Sequence, residues 1–439
     1  MRGRVRQVAS RSSTLAAVIA LTCLGALGVS SPAMAAVPPS FVNFAAPAPL
    51  GQDAGEPSIG VDWATGTAMM QAGLQTLRVT GFNFATGTAT WANVGSTITS
   101  TLSLDPILFT DHRTNRTFVS QLSANCSLMA FSDDDGASWT QNPIGCGPGL
   151  DFDHQTVGGG PFAAPLTGTV YPDTVYECAQ GVVSAGCALS VNGGLSFGPN
   201  VPMYSLLTCG GLHGHLKAAP DGTVYVPNED CGGQQGVAVS ADNGVTWNVR
   251  TVPGSTTQDE SDPSVGVGSG GAVYLGWANG NGHPEIAVSH DRGQTWSSPV
   301  DVGSAFGIQN VQFPSVVAGD DTRAAFAFLG TPTAGNDQAA SFGGVWHLYV
   351  AATYDGGATW STVDATPNDP VQRGCIWLGG GSNACRNLLD FMDVTIDATG
   401  HVVVGYADGC TGACVTGGTN TRTAVATIAY QSGGDPLLG

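Results

Sequence analysis

Three stretches of this chain gather side chains able to do chemistry. In His213-Gly214-His215-Leu216-Lys217, alternate residues carry two imidazoles and an ammonium, which an extended strand sets on one face. Lys217 is the only lysine of the chain. A hairpin would return through Asn228, Glu229 and Asp230, with Cys209 and Cys231 placed to clamp its ends. Imidazole, amine and carboxylate in one hairpin can pass protons or hold an anion, although a lone histidine is more often structural.

The second stretch pairs Asp151, Asp153 and His154 with Asp259, Glu260 and Asp262 further along. Glycoside hydrolysis needs two carboxyl groups, one to protonate the leaving oxygen and one as base or nucleophile. The same oxygens suit Ca²⁺, and acids that merely cap turns look alike in sequence. The third runs from Arg373 through Cys375, Cys385 and Arg386 to Asp390 and Asp393. It reads as a long insertion over a binding site, its arginines and acids able to grip an anionic or sugar ligand. Tyr406 and Asp408 end the next strand near the same place.

A repeat positions these groups. Ser132-Asp-Asp-Asp-Gly-Ala-Ser-Trp139 recurs as Ser190-Val-Asn-Gly-Gly-Leu-Ser-Phe197, Ser240-Ala-Asp-Asn-Gly-Val-Thr-Trp247, Ser289-His-Asp-Arg-Gly-Gln-Thr-Trp296 and Thr353-Tyr-Asp-Gly-Gly-Ala-Thr-Trp360. The spacing predicts a hairpin turn: the acid or amide accepts backbone N–H bonds, and the shared glycine supplies a positive φ. A second motif, seen in Glu56-Pro-Ser-Ile-Gly-Val61 and Asp262-Pro-Ser-Val-Gly-Val267, alternates with the first. Seven starts near 56, 105, 154, 213, 262, 313 and 391 predict seven four-stranded units, the arrangement of a β-propeller. The segment around Phe41 to Phe44 would complete the last unit and close the ring. Glu56, Asp105, His154, His213, Asp262, Phe313 and Phe391 would then stand where the inner strands begin, around the mouth of a central channel.

The five turns resemble the Asp-box (BNR-repeat) turns of the sialidase-like β-propeller superfamily. The resemblance implies an all-β fold, a single propeller of about seven blades over residues 36–439, with a carbohydrate or glycoconjugate as ligand. Sialidases also carry an early Phe/Tyr-Arg-Ile-Pro element, whose arginine helps clamp a substrate carboxylate. This chain has Gly55-Glu56-Pro57-Ser58-Ile59 there, with no arginine. The expectation is a sialidase-like glycoside hydrolase lacking that clamp. Its acids would come from Asp153, Glu229, Glu260 and Asp262. Its substrate contacts would come from Glu56, His154, His213, His215, Lys217, Arg373, Arg386, Asp390, Asp393 and Tyr406. The alternative is a non-catalytic propeller that binds glycan or protein through aromatic platforms such as Trp277 and Trp377. A catalytic site requires carboxylates converging across the channel; a binder does not.

The ends and the composition narrow the setting. Arg2, Arg4, Arg6 and Arg11 precede an apolar run from Leu15 to Val29, then Ala33-Met34-Ala35, the pattern of a secretory signal cleaved after Ala35. The run is shorter than the ~20 residues that span a bilayer, so no membrane span is expected. The chain carries a net charge of −19, and losing those four arginines with no acid brings it to −23. Such a surface repels nucleic acid. Ten cysteines remain in an exported protein, and a disulfide framework follows. Local pairs are expected: Cys126/Cys146, Cys178/Cys187, Cys209/Cys231, Cys375/Cys385 and Cys410/Cys414. A monomer is expected, with no cofactor or metal ligand set; Ca²⁺ is the one ion its acid clusters suit.

Overall fold

A computed structural model describes residues 1, 3 and 36–439, apart from 102–104, 124–126, 145–152 and 259–260. Its strands form seven antiparallel sheets, each built on a path of four strands; in six of them neighbours in space are neighbours in sequence, and one of these six carries an added short strand, Gln372–Arg373. The innermost strands are Ser58–Val61, Pro106–Thr110, Asp153–Pro161, Lys217–Ala218, Ser264–Val267, Asn310–Ala318 and Asp393–Ile396. They define blades 1 to 7 and line the channel. The expected all-β, seven-bladed propeller is the fold observed. Blade 7 takes its outermost strand, Ser40–Ala45, from the other end of the chain, and this strand pairs with Val425–Gly433. The ring therefore closes at the segment containing Phe41 and Phe44. The proposed signal segment lies outside the described residues, except for Met1 and Gly3, and among the described residues no helix is long and apolar enough to cross a membrane.

Apolar residues on successive blades face one another, so the core is a ring of interfaces. Between blades 7 and 1, Phe44, Val403 and Ile428 bury against Ile59, Val61, Met70 and Leu77. The centre is tighter still. A Cβ added to Gly266 on the inner strand of blade 5 would meet Val316 of blade 6 at 2.9 Å, so only glycine fits that approach.

All five recurring turns use the same bonds. The first Ser or Thr hydroxyl accepts from the glycine N–H four residues on, at 2.7–2.9 Å. The Asp or Asn side chain accepts from the N–H of the second Ser or Thr, at 2.8–3.0 Å. The glycine at the fifth position has φ between 75° and 89° in every copy. Several of these glycines also face the preceding blade: Gly136 abuts Val94, Gly194 abuts Phe118, and Gly244 abuts Tyr176. The turn thus fixes a hairpin and fits it to its neighbour. Asp242→Ala removes the acceptor for the Thr246 amide and hydroxyl. It should lower the melting temperature by about 2–4 °C without altering the far-ultraviolet circular dichroism; an unchanged melt would remove the turn from the stabilising features.

Four of the expected disulfides are formed: Cys178–Cys187, Cys209–Cys231, Cys375–Cys385 and Cys410–Cys414. Cys126 and Cys146 lie outside the described residues. Cys209–Cys231 closes a separation of 22 residues. Replacing both by Ser should lower stability by about 3 kcal/mol on loop-closure entropy, read as a lower urea midpoint at constant slope. A midpoint equal to wild type would show that the blade holds this loop without the bridge.

Blade 4 differs from expectation. His213 makes only an isolated bridge with Asn228, and the inner strand shortens to Lys217–Ala218. Gly214 there lies so close to the next blade that an added Cβ would meet the Pro263 carbonyl at 1.9 Å, while its N–H donates to Pro227 O at 3.0 Å.

Candidate functional site at the channel mouth

The side chains singled out in the sequence divide between the two ends of the channel. At the mouth, Glu56, His154 and Phe313 precede the body of their inner strands with positive φ of 55°, 48° and 57°. Such backbone is uncommon outside glycine and costs on the order of 1 kcal/mol per residue. It recurs at an apolar residue in the same blade position, so it reflects how the chain turns into an inner strand.

His154 is the electrostatic centre of the mouth. Its Nδ1 lies 3.2 Å from Asp262 Oδ2, and its backbone N–H donates to Asp105 Oδ2 at 3.2 Å and to its own neighbour Asp153 at 3.1 Å. Burial opposes a charge on this ring, but Asp262, Asp105 and Asp153 outweigh it and hold the imidazolium well above its usual range. Burial pushes Asp105 up to about 6 against the pull of His154. Glu56 is 1% exposed. Burial first, then the charges of Asp105 and Asp390, raise its carboxyl well above the carboxylate range. Asp390 sits within hydrogen-bond reach of Glu56, and the second Glu56 oxygen has no partner among the described residues.

The insertion before blade 7 supplies the cover. The Glu56 N–H donates to Leu388 O at 3.1 Å, and Leu389 packs on Gly55. Arg386 grips Asp390 with two parallel bonds of 2.5 and 2.6 Å and donates to Leu378 O at 2.7 Å. Arg386 and Asp390 keep side-chain exposures of 17% and 16%, and Asp153 is also half-buried. These three form the open rim above Glu56, Asp105, His154 and Asp262.

Other expected site residues have different tasks. Glu229 accepts from Leu212 N at 3.1 Å and Ser261 N at 2.9 Å, so both oxygens tie loops together. Burial and the nearby Asp262 raise it to about 7. His213 is buried with its Nε2 unpartnered, and burial together with the His154 charge lowers it to about 4. His215 packs edge-on against Phe391, ring centroids 4.7 Å apart.

Two of the expected substrate contacts make structural bonds. Arg373 donates to the carbonyls of Cys414 and Val415 at 2.8 and 3.1 Å and so holds the small disulfide loop. Tyr406 is buried with its hydroxyl on Asn43, because its strand carries it into the seam where blade 7 closes. Trp277 is fully buried with its Nε1–H on Asn279, and Trp377 donates to Gly380 O inside the insertion, so neither is an open platform at the mouth. Glu260 lies outside the described residues. Asp105 belongs with the cluster although it was absent from the expected site. The signal was present, since it holds the strand-leading position that Glu56 occupies in blade 1.

Among the described residues, no group of three or more His, Cys, Asp or Glu is arranged to hold a metal ion. Lys217 lies toward the far end of the channel, and Asp393, the first residue of its own inner strand, comes within 4.0 Å of Lys217 Nζ. There the inner strands end around a cavity of about 360 Å³ lined by Ile59, Ile107, Val157, Leu216, Val316 and Val394, with Trp63, His112 and Arg113 also on its wall.

The fold has structural counterparts. The chain matches the BP39L lectin from Burkholderia pseudomallei with a TM-score of 0.55 at 14% identity, over 88% of this chain and 98% of the lectin. A GH74 enzyme of Niastella koreensis matches at 0.49 and 14% identity, over 84% of this chain and 53% of the enzyme. An intramolecular trans-sialidase of Ruminococcus gnavus matches at 0.39 and 13% identity, over 86% and 94%. The chain shares the propeller fold with these proteins. At these identities the likeness is one of fold. No protein-family model matches the sequence, and no curated protein matches it.

Proposed function

We propose that this protein is an exported, carbohydrate-active propeller of glycoside hydrolase type, acting at the channel mouth. The observation that carries the reading is the convergence of carboxyl groups from separate blades and the insertion on one point. Glu56, Asp105, Asp153, Asp262 and Asp390 perturb one another or His154, the pattern expected of a catalytic centre more than of turn capping. Glu56, whose burial favours its protonated form, is the proton donor to the leaving oxygen. Asp153, on the open rim, is the carboxylate available to activate water, and the Arg386–Asp390 pair binds sugar hydroxyls. Leu388 to Asp390 cover Glu56, so substrate must displace that segment to reach the proton. Export follows from the leader pattern and from disulfides that require an oxidising compartment.

A second reading, glycan binding without cleavage, is favoured by the full engagement of Glu229 and the covering of Glu56. The lectin among the structural neighbours agrees with it. Incubation with a panel of neutral and acidic polysaccharides, followed by analysis of released sugar, separates the two. Release supports the hydrolase. Retention on a glycan column with no release supports the binder.

A further inference from the structure

We propose that the far end of the channel is a separate binding site for a small, largely apolar molecule bearing one carboxylate, with Lys217 holding its acid group. The cavity of about 360 Å³ lies within the ~300–1,000 Å³ range of small-ligand pockets. Its wall is mainly aliphatic, from the inner strands of several blades, and Trp63 stacks on His112 with ring centroids 4.2 Å apart. Burial lowers His112 to about 4, so this ring pair is an uncharged surface at neutral pH. A sugar, with a hydroxyl on nearly every carbon, would lose hydrogen bonds to water that such a wall does not return. The far end therefore differs in chemistry from the mouth.

The polar groups present select an anion. Lys217 is partly exposed on the cavity wall, and Nζ makes no hydrogen bond to a described residue; its nearest charged neighbour is Asp393 Oδ1 at 4.0 Å. Asp393 is held back because its oxygens accept the Ile59 and Val394 amides at 3.3 and 2.9 Å. Asp393 thus balances the ammonium while leaving its donors open. The other acid on the wall, Asp111, accepts from the Tyr171 and Thr114 hydroxyls at 2.6 and 2.9 Å and from Arg113 N at 2.9 Å. Arg113 is ion-paired with buried Asp173. The acids are engaged and one ammonium is open, so the site takes a carboxylate in preference to a cation. The carboxylate supplies the acceptor, and an apolar body fills the rest.

Calorimetric titration of the full mature chain with octanoate, 1-octanol and octylamine tests this, because the three probes share one tail and differ in head group. Octanoate should bind, octanol at least tenfold more weakly, and octylamine not at all. Lys217→Met should bring octanoate down to the level of octanol at an unchanged melting temperature. The proposal is overturned if octanol or octylamine matches octanoate on the wild type. It is equally overturned if octanoate fails to bind at about 1 mM, or if folded Lys217→Met binds it as tightly as wild type. The head-group comparison stands on the wild type even if the variant does not fold.

Discussion

Glu56→Gln should reduce sugar release by about 10²–10⁴-fold, the range over which a positioned general acid contributes. The substitution is nearly isosteric with the protonated carboxyl that burial favours, so folding should be preserved. What is lost is the transferable proton. Glu229→Gln is the informative contrast. Its oxygens accept the Leu212 and Ser261 amides, and an amide NH₂ turned toward either would set donor against donor. That variant should melt lower yet retain its specific activity per folded molecule. Asp153→Asn, on the open rim, should lose activity as Glu56→Gln does. Full turnover by folded Glu56→Gln would remove the mouth from consideration as the catalytic site.

Stability should be highest near pH 4 and fall as pH rises to 8. Burial raises Asp105 to about 6, and Glu229 and Asp408 to about 7, above the ~4 expected of unfolded carboxyls. Folding therefore takes up protons at these groups. Their contribution is complete below about pH 4 and disappears as pH rises through 6 and 7, at about 1.4 kcal/mol per pH unit for each proton bound. His154 acts in the same direction: its stabilisation is full below its unfolded value of ~6.5 and is lost as pH passes the raised folded value. His112 and His213, lowered to about 4, oppose this between about pH 4 and 6.5, and the outer turns oppose it at low pH. Hydrogen bonds from Thr295 and Ser289 draw Asp291 down to about 2, and those from Ser138 and Ser132 lower Asp134. The stabilisation from these two exists above about pH 4 and is lost on further acidification. Scanning calorimetry from pH 3 to 9 would show the maximum, and Asp105→Asn should flatten the alkaline limb. A melting temperature at pH 8 equal to or above that at pH 5 would contradict this account of the mouth.

Both predictions rest on features legible to different degrees in the chain. The five turns were readable because each is contained in eight residues: hydroxyl, acid or amide, and glycine meet through bonds that span at most four positions. Spacing between strand starts then set the number of blades, and Phe41 to Phe44 could be assigned to ring closure because blade 7 otherwise lacked an outer strand. The described disulfides were equally local, and three of the four join cysteines ten or fewer residues apart.

The composition of the site was a tertiary decision. Glu56, Asp105, His154 and Asp262 meet because equivalent positions in different blades point toward one axis, and no short-range pattern says which of them will touch. His213 and Lys217 show the converse. They looked like one constellation, yet four residues of extended chain cover about 13 Å, enough to leave His213 beside His154 at the mouth while Lys217 reaches Asp393 and the cavity. Arg373 and Tyr406 were drawn elsewhere by loop carbonyls and by the closing seam. The local hydrogen-bonding grammar of this sequence determines its blades; the closed ring determines which charges must share a dry space and which face the cavity alone.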